Sequence, residues 1–230
     1  AGKQLKRQSP KFLEKRRKMM FNQALSYDDV LLTPQYSDIE SRSEVSLVSE
    51  LDKNNNFDLP IIASPMDTIV EGEMAVALAE LGALGVIHRY NSVLDQKRMV
   101  WDVANKVSNK PVAAAIAITG DFVDRAEALV DAGVDILCVD VAHGHHMMMR
   151  NALATLKRNL PNNVHIMAGN VATRKGYEAL AEWGADSVRI GIGGGSICST
   201  RVQTGHGIPT FQSVLDCSES ECAGEIPIIA

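Results

Sequence analysis

Three stretches of this 230-residue chain share one grammar, and their repetition restricts the fold more than any other feature. They are Leu78-Ala-Glu-Leu-Gly-Ala-Leu-Gly-Val-Ile, Leu129-Val-Asp-Ala-Gly-Val-Asp-Ile-Leu-Cys-Val and Leu180-Ala-Glu-Trp-Gly-Ala-Asp-Ser-Val-Arg-Ile. In each, a helix-like run ends on a glycine and a short apolar strand follows. Glycine suits a helix C-terminus that must turn through left-handed dihedrals, because it has no Cβ to clash. Gly82, Gly133 and Gly184 stand 51 residues apart. A βα unit takes about 25 residues, so each interval holds two units.

The intervening strands fall where this predicts, at residues 60–64, 111–118, 164–169 and 226–230. Near-continuous apolar strands mark a parallel sheet covered by helices. Residues 121–132 set Phe122, Ala126, Leu129 and Val130 on one helical face, with Asp121 placed to cap it. Seven evenly spaced parallel strands predict an α/β fold, a (β/α)8 barrel truncated in or after its seventh strand. A doubly wound open sheet is the rival, but no Gly-x-Gly-x-x-Gly follows an early strand. The expected domains are a basic N-terminal arm, 1–24, and a barrel domain, 25–230. Within the latter, 25–33 reads as a short element and 38–58 as a strand or hairpin followed by a loop.

The formal net charge of −5 argues against a dedicated nucleic-acid binder, whose affinity rests on neutralising phosphates. A local site for one nucleotide is compatible with it. The longest apolar stretch, 111–119, falls well short of the ~20 residues that cross a bilayer. The polar, basic start has no secretory pattern. Cys138, Cys198, Cys217 and Cys222 form no dense disulfide framework, which points to the reducing cytoplasm.

Functional residues of a barrel gather at the C-terminal ends of its strands. The unusual residues of this chain stand there: Ser64-Pro-Met-Asp-Thr, His88-Arg89, Asp140-Val-Ala-His143-Gly-His-His, Gly169-Asn170 and Gly191-Ile-Gly-Gly-Gly-Ser-Ile-Cys-Ser-Thr-Arg201. In the last loop, Gly191, Gly193, Gly194 and Gly195 let a ligand approach the main chain. Exposed N–H groups there, with Ser196, suit a phosphate. Weighed against a buried inert thiol, Cys198 in this setting favours a nucleophile. Cys138, mid-strand, reads as core, and Cys217 with Cys222 is a weak metal signal.

A zinc site needs three or four placed ligands, and adjacent His145 and His146 point apart. They read as solvent-facing or helix-start histidines, while His143 is a candidate ligand contact. Met147, Met148 and Met149 read as adaptable packing at a helix head. Asp140 ends an apolar strand, so its carboxylate needs partners, either a ligand hydroxyl or amide or a structural group. For His88 and Arg89, an anion contact and a supporting ion pair stay equally open.

These loops carry a resemblance. From about residue 25 to 230 the sequence closely resembles the inosine-5′-monophosphate dehydrogenase and guanosine-5′-monophosphate reductase superfamily. The matching stretches are Leu25-Ser-Tyr-Asp-Asp-Val-Leu-Leu-Thr-Pro, Ser64-Pro-Met-Asp-Thr, Gly85-Val-Ile-His-Arg, Val139-Asp-Val-Ala-His-Gly, Ala168-Gly-Asn-Val-Ala-Thr and the cysteine loop. By that resemblance Cys198 is the nucleophile that attacks purine C2, and Thr200 beside it handles protons. Ser64, Met66, Asn170, Gly195 and Ser196 match substrate contacts. Asp140, His143, Arg189, Gly191 and Gly193 match the surroundings of NAD, and Asn170 also lies near the ribose and nicotinamide. The backbone carbonyls of Gly193, Gly195 and Cys198 match a potassium site.

The resemblance implies a purine mononucleotide substrate, a cytoplasmic homotetramer, and no nucleic-acid or membrane partner. The histidine of Val139-Asp-Val-Ala-His-Gly, where reductases typically carry asparagine, favours the dehydrogenase branch, as does Ser64-Pro-Met-Asp. The alternatives are an NADPH-dependent GMP reductase and a non-catalytic purine-binding barrel remnant. Two departures stand out. Gly193-Gly-Gly replaces the commoner Gly-Pro-Gly or Gly-Ser-Gly, and Thr210-Phe211 replaces the usual Gln-Leu. No room exists for the CBS pair that most dehydrogenases insert after the second strand. The family's next aspartate, glycine-rich phosphate loop, eighth strand and flap would follow Ala230, so the 230 residues alone are expected to lack turnover.

Overall fold

The computed structural model describes residues 23–230. The basic arm, 1–24, lies outside the described residues apart from its last two positions. The described chain opens with a 3₁₀ turn, Tyr27–Asp29, where the short element was expected. It is fastened to a late helix: Leu25 N–H donates to Gln212 Oε1 at 3.3 Å, and Tyr27 packs edge-on against Phe211.

Next comes an antiparallel hairpin, β1 (Ser49–Glu50) and β2 (Asn56–Phe57). From there strands and helices alternate. The strands are β3 (Ile62–Ala63), β4 (Leu84–Ile87), β5 (Ala113–Ile116), β6 (Ile136–Asp140), β7 (His165–Val171), β8 (Ser187–Ile190) and β9 (Ile228–Ile229). The helices are α1 (Gly72–Glu80), α2 (Val93–Lys106), α3 (Phe122–Asp131), α4 (Met147–Asn159), α5 (Arg174–Glu182), α6 (Thr200–Thr204) and α7 (Thr210–Ser218). All seven strands β3 to β9 are parallel and lie side by side in sequence order. This is the strand arrangement of the first seven units of a (β/α)8 barrel. The β4–β5 crossover holds α2 alone, with no inserted module.

The pleat sorts side chains onto two faces. Ile87, Ala114, Ile116, Leu137, Val139, Ile166 and Val188 point outward and pack beneath the helices. Leu84, Val86, Ala113, Ala115, Ile136, Cys138 and Met167 point inward and form a second cluster, joined by Ile62 from β3 and Ile229 from β9. Residues of both edge strands meet in one cluster because the sheet is curled. Leu51 and Phe57 of the hairpin complete that cluster. Beside it, inward-facing His165 at the start of β7 bonds to Asp52 of the hairpin turn and, at 2.8 Å, to Ser187 at the start of β8. The hairpin therefore plugs the N-terminal end and leaves the C-terminal end open.

The three repeated glycines have φ of +77°, +95° and +98° at Gly82, Gly133 and Gly184, the left-handed helix exits that the spacing predicts. One expectation fails locally. Asp121 caps no helix with its side chain; its carboxylate instead receives Arg125 Nη2 at 3.0 Å. Arg125 is buried, and a buried cation claims the nearest carboxylate. The methionines divide as well: Met149 is buried, whereas Met147 and Met148 are exposed at the head of α4. His146 caps that helix by accepting from Met148 N–H at 3.1 Å. Cys138 is wholly buried, as expected. Among the described residues no helix is long and apolar enough to cross a membrane.

Candidate active site

A cleft of about 800 Å³ opens at the C-terminal end of the sheet. Most of the residues singled out in the sequence line it. Ser64 and Met66 follow β3, Asp140 ends β6, Asn170 lies in β7, and Arg189 lies in β8. The loop after β8 contributes Gly191, Gly193, Gly195, Cys198 and Thr200. Two candidates fall outside the lining: Ser196 is exposed on the loop tip, and His143 is exposed beside His145 on the β6–α4 loop.

One row of the sheet builds the floor. Asp140, Gly169, Arg189 and Ile229 are in register on β6, β7, β8 and β9. Gly169 has no side chain, so Asp140 and Arg189 meet across it, with Arg189 Nη1 donating to Asp140 Oδ1 at 2.6 Å. The same nitrogen lies 3.5 Å from Cys138 Sγ. A Cβ on Gly169 would come within 2.7 Å of Arg189 Cβ and 2.9 Å of its carbonyl oxygen. Burial pushes the Cys138 thiol up to about 11, so it stays protonated under this pair. Beside the row, Asn170 Nδ2 donates to the Gly191 carbonyl at 3.0 Å, while its buried Oδ1 has no partner among the described residues. A ligand N–H or O–H would satisfy it.

The loop after β8 carries Cys198. Gly191 and Gly193 have φ of +131° and +76°, so the path of this loop needs glycine at both. Cys198 N–H donates to the Gly195 carbonyl at 3.1 Å, which folds the thiol back over the cleft. The thiol is held below its ordinary range, first by the Thr200 hydroxyl and backbone and then, more weakly, by Gly193 and the charge of Arg201. A thiol that is accessible and ionises early is the reactive kind. Cys217, by contrast, is buried and pushed up to about 11. No group of three or more metal-binding side chains exists among the described residues.

Arg201 does more than add charge. Its Nη1 donates to the carbonyls of Gly193 at 2.5 Å and Gly195 at 2.6 Å. These are two of the three oxygens that the resemblance gives to potassium. In this structure a guanidinium fills that cradle, and the loop does not fit an added monovalent ion.

The sequence reading missed a buried polar network behind the rim. Gln96 Nε2 donates to the carbonyls of Ala115 at 2.8 Å and His88 at 3.0 Å, joining the ends of β4 and β5. Arg125 Nη1 donates to Gln96 Oε1 at 2.8 Å. A signal existed: Gln96 stands four and seven residues before Val100 and Val103, on the buried stripe of α2.

Residues 24–230 match the family described as the IMP dehydrogenase / GMP reductase domain. The chain belongs to this family. Among its relatives is an inosine-5′-monophosphate dehydrogenase of Cryptosporidium parvum, 34% identical over 90% of this chain and 60% of the relative. A second, from Nitrosopumilus maritimus, is 29% identical over 92% of this chain and 70% of the relative. A GMP reductase of Leishmania major is 27% identical over 90% and 69%. The chain thus spans roughly 60–70% of the length of these family members. Both reaction names occur among them.

Proposed function

We propose that the protein acts as an IMP dehydrogenase, oxidising IMP to XMP with NAD and water through a covalent adduct on Cys198. The observation that carries this reading is an accessible thiol with a lowered pKa, set by Thr200 at the lip of the cleft. The thiolate sulfur adds to C2 of the purine, forming a C–S bond and making that carbon a hydride donor. NAD, when bound beside Asp140 and Arg189, supplies the two-electron acceptor. Water then adds at C2, the C–S bond breaks, and the thiolate leaves.

Other residues of the chain support these steps. The fixed Asp140–Arg189 pair presents a carboxylate oxygen toward the cleft for hydroxyl groups of a ribose. Asn170 Oδ1, unpartnered and buried, suits an amide or hydroxyl donor of the bound ligands. Thr200 stabilises the thiolate before attack and after release. The open backbone of Gly193 to Gly195, with Ser64 across the cleft, suits the planar substrate and its phosphate. No monovalent ion enters this reading, because Arg201 already supplies positive charge to the loop carbonyls. A homotetramer in the cytoplasm goes with the family resemblance.

The deciding experiment compares XMP formation from IMP and NAD with IMP formation from GMP and NADPH, using the full-length natural protein, not the 230 residues alone, and its Cys198→Ser variant. The reading expects turnover with IMP and NAD only, a purine adduct on Cys198 by intact-mass measurement, and neither in Cys198→Ser. Turnover with GMP and NADPH alone would move the protein to the reductase branch.

A further inference from the structure

Arg89 stands two residues beyond the C-terminal end of β4 and lines the cleft beside Tyr90. Other half-buried or buried arginines around the site have partners: Arg125 pairs with Asp121, and Arg189 with Asp140. Arg89 makes no hydrogen bond or ion pair among the described residues, and its Nε is buried without a partner. One face of the guanidinium lies over the Tyr90 ring, 5.0 Å from its centroid, which leaves its in-plane N–H donors free.

The charge balance points the same way. Arg89, Arg189 and Asp140 are the arginine and carboxylate side chains that line the cleft, and Arg189 is already paired with Asp140. Among the described residues that line the cleft, Arg89 is thus the guanidinium without a carboxylate partner, in a chain whose formal net charge is −5. A guanidinium whose Nε is buried without a partner gains both a hydrogen bond and a counter-charge when an anionic ligand enters. Guanidinium forks match phosphate oxygens in geometry.

We propose that Arg89 is a binding residue for a phosphate group of the ligand that occupies this cleft. The proposal rests on the purine-nucleotide reading for the identity of that ligand. The phosphate belongs either to the mononucleotide or to the dinucleotide, and inosine, IMP, NAD and inorganic pyrophosphate distinguish the sources. Arg89 bonds to no neighbour, so its replacement orphans no partner and the fold should melt unchanged.

Affinity for the four probes is measured by calorimetry for the protein, Arg89→Gln and Arg89→Lys, with thermal melts as the folding control. Arg89→Gln should weaken pyrophosphate and either IMP or NAD by about tenfold or more, leave inosine unchanged, and be partly restored in Arg89→Lys. Loss with IMP assigns the mononucleotide phosphate, and loss with NAD the dinucleotide. Equal affinities for all probes in all three proteins would overturn the proposal, as would a parallel loss of inosine. If the protein binds neither IMP nor NAD, the purine reading fails and pyrophosphate decides. Binding lost in Arg89→Gln upholds an anion site, and no binding at all removes it.

Discussion

A side chain on Gly194 would meet the hydroxyl of Thr210, because a Cβ built there lies 2.1 Å from Thr210 Oγ1. By the resemblance both positions depart from the family's common pattern, Gly194 in place of Pro or Ser and Thr210, with Phe211 after it, in place of Gln-Leu. The departures are in contact, so one accommodates the other. Thr210 Cβ lies 3.4 Å from the same point, which a methyl group tolerates with a small shift.

Gly194→Ala is therefore expected to displace the loop and slow alkylation of Cys198 by iodoacetamide. The double variant Gly194→Ala/Thr210→Ala should restore most of the rate. A double-mutant cycle on melting temperature should show the same coupling, about 1 kcal/mol or more. Additive effects would separate the two departures.

The Asp140–Arg189 pair depends on a residue that contributes no side chain. Gly169→Ala would drive a methyl group to within 2.7 Å of Arg189 Cβ and 2.9 Å of its carbonyl, and backbone cannot give way cheaply. Overpacking of this kind costs about 1–3 kcal/mol. Chemical denaturation should show a loss at the upper end of that range. Binding of NAD should fall further than binding of inosine, since the row that breaks is the one beside the dinucleotide in the proposed reading.

Arg201 predicts the ion response of the loop. Cys198 alkylation by the unaltered protein should proceed equally in potassium chloride and choline chloride at matched ionic strength. Arg201→Gln removes the charge from the Gly193 and Gly195 carbonyls, and its reactivity should then fall in choline and recover with potassium. A potassium requirement in the unaltered protein would show that the guanidinium yields its place to the ion.

Much of the fold was legible because glycine and apolar runs are local signals. Gly82, Gly133 and Gly184 announced helix exits, and the strands between them followed from spacing. The C-terminal rim, with Cys198, Asp140 and Asn170, followed from the barrel rule, and Arg189 from the resemblance. What could not be read was pairing. Asp140 could be seen to need a partner, but the registers of β6, β7 and β8 make that partner Arg189. Asp121 looked like a cap because its position in the chain is visible and the burial of Arg125 is not. Neither the guanidinium in the Gly193–Gly195 cradle nor the contact of Gly194 with Thr210 could be inferred, since both depend on how the loop closes in space.

The hairpin plug should make stability depend on acid. Burial holds the His165 pKa below its ordinary value of 6.5, against the opposing pull of Asp52. Asp52 is itself lowered from 3.8: burial raises it, but bonds from Asn55, Asn54 and His165 outweigh burial. As pH falls through 6.5 the unfolded chain takes up the histidine proton before the folded one does, so the folded state loses relative stability. The contribution of His165 is thus fully present above 6.5 and declines below it, while Asp52 stays charged until the pH is below 3.8. Neutral His165 with its proton on Nδ1 donates to Asp52 and accepts from the Ser187 hydroxyl; protonation reverses the second bond, so that Nε2–H donates to the Ser187 oxygen, and places a charge in a buried site. Urea midpoints measured at falling pH should therefore decline for the unaltered protein. His165→Asn should start lower and lose that part of the slope. A variant with an unchanged slope would place the acid sensitivity elsewhere in the fold.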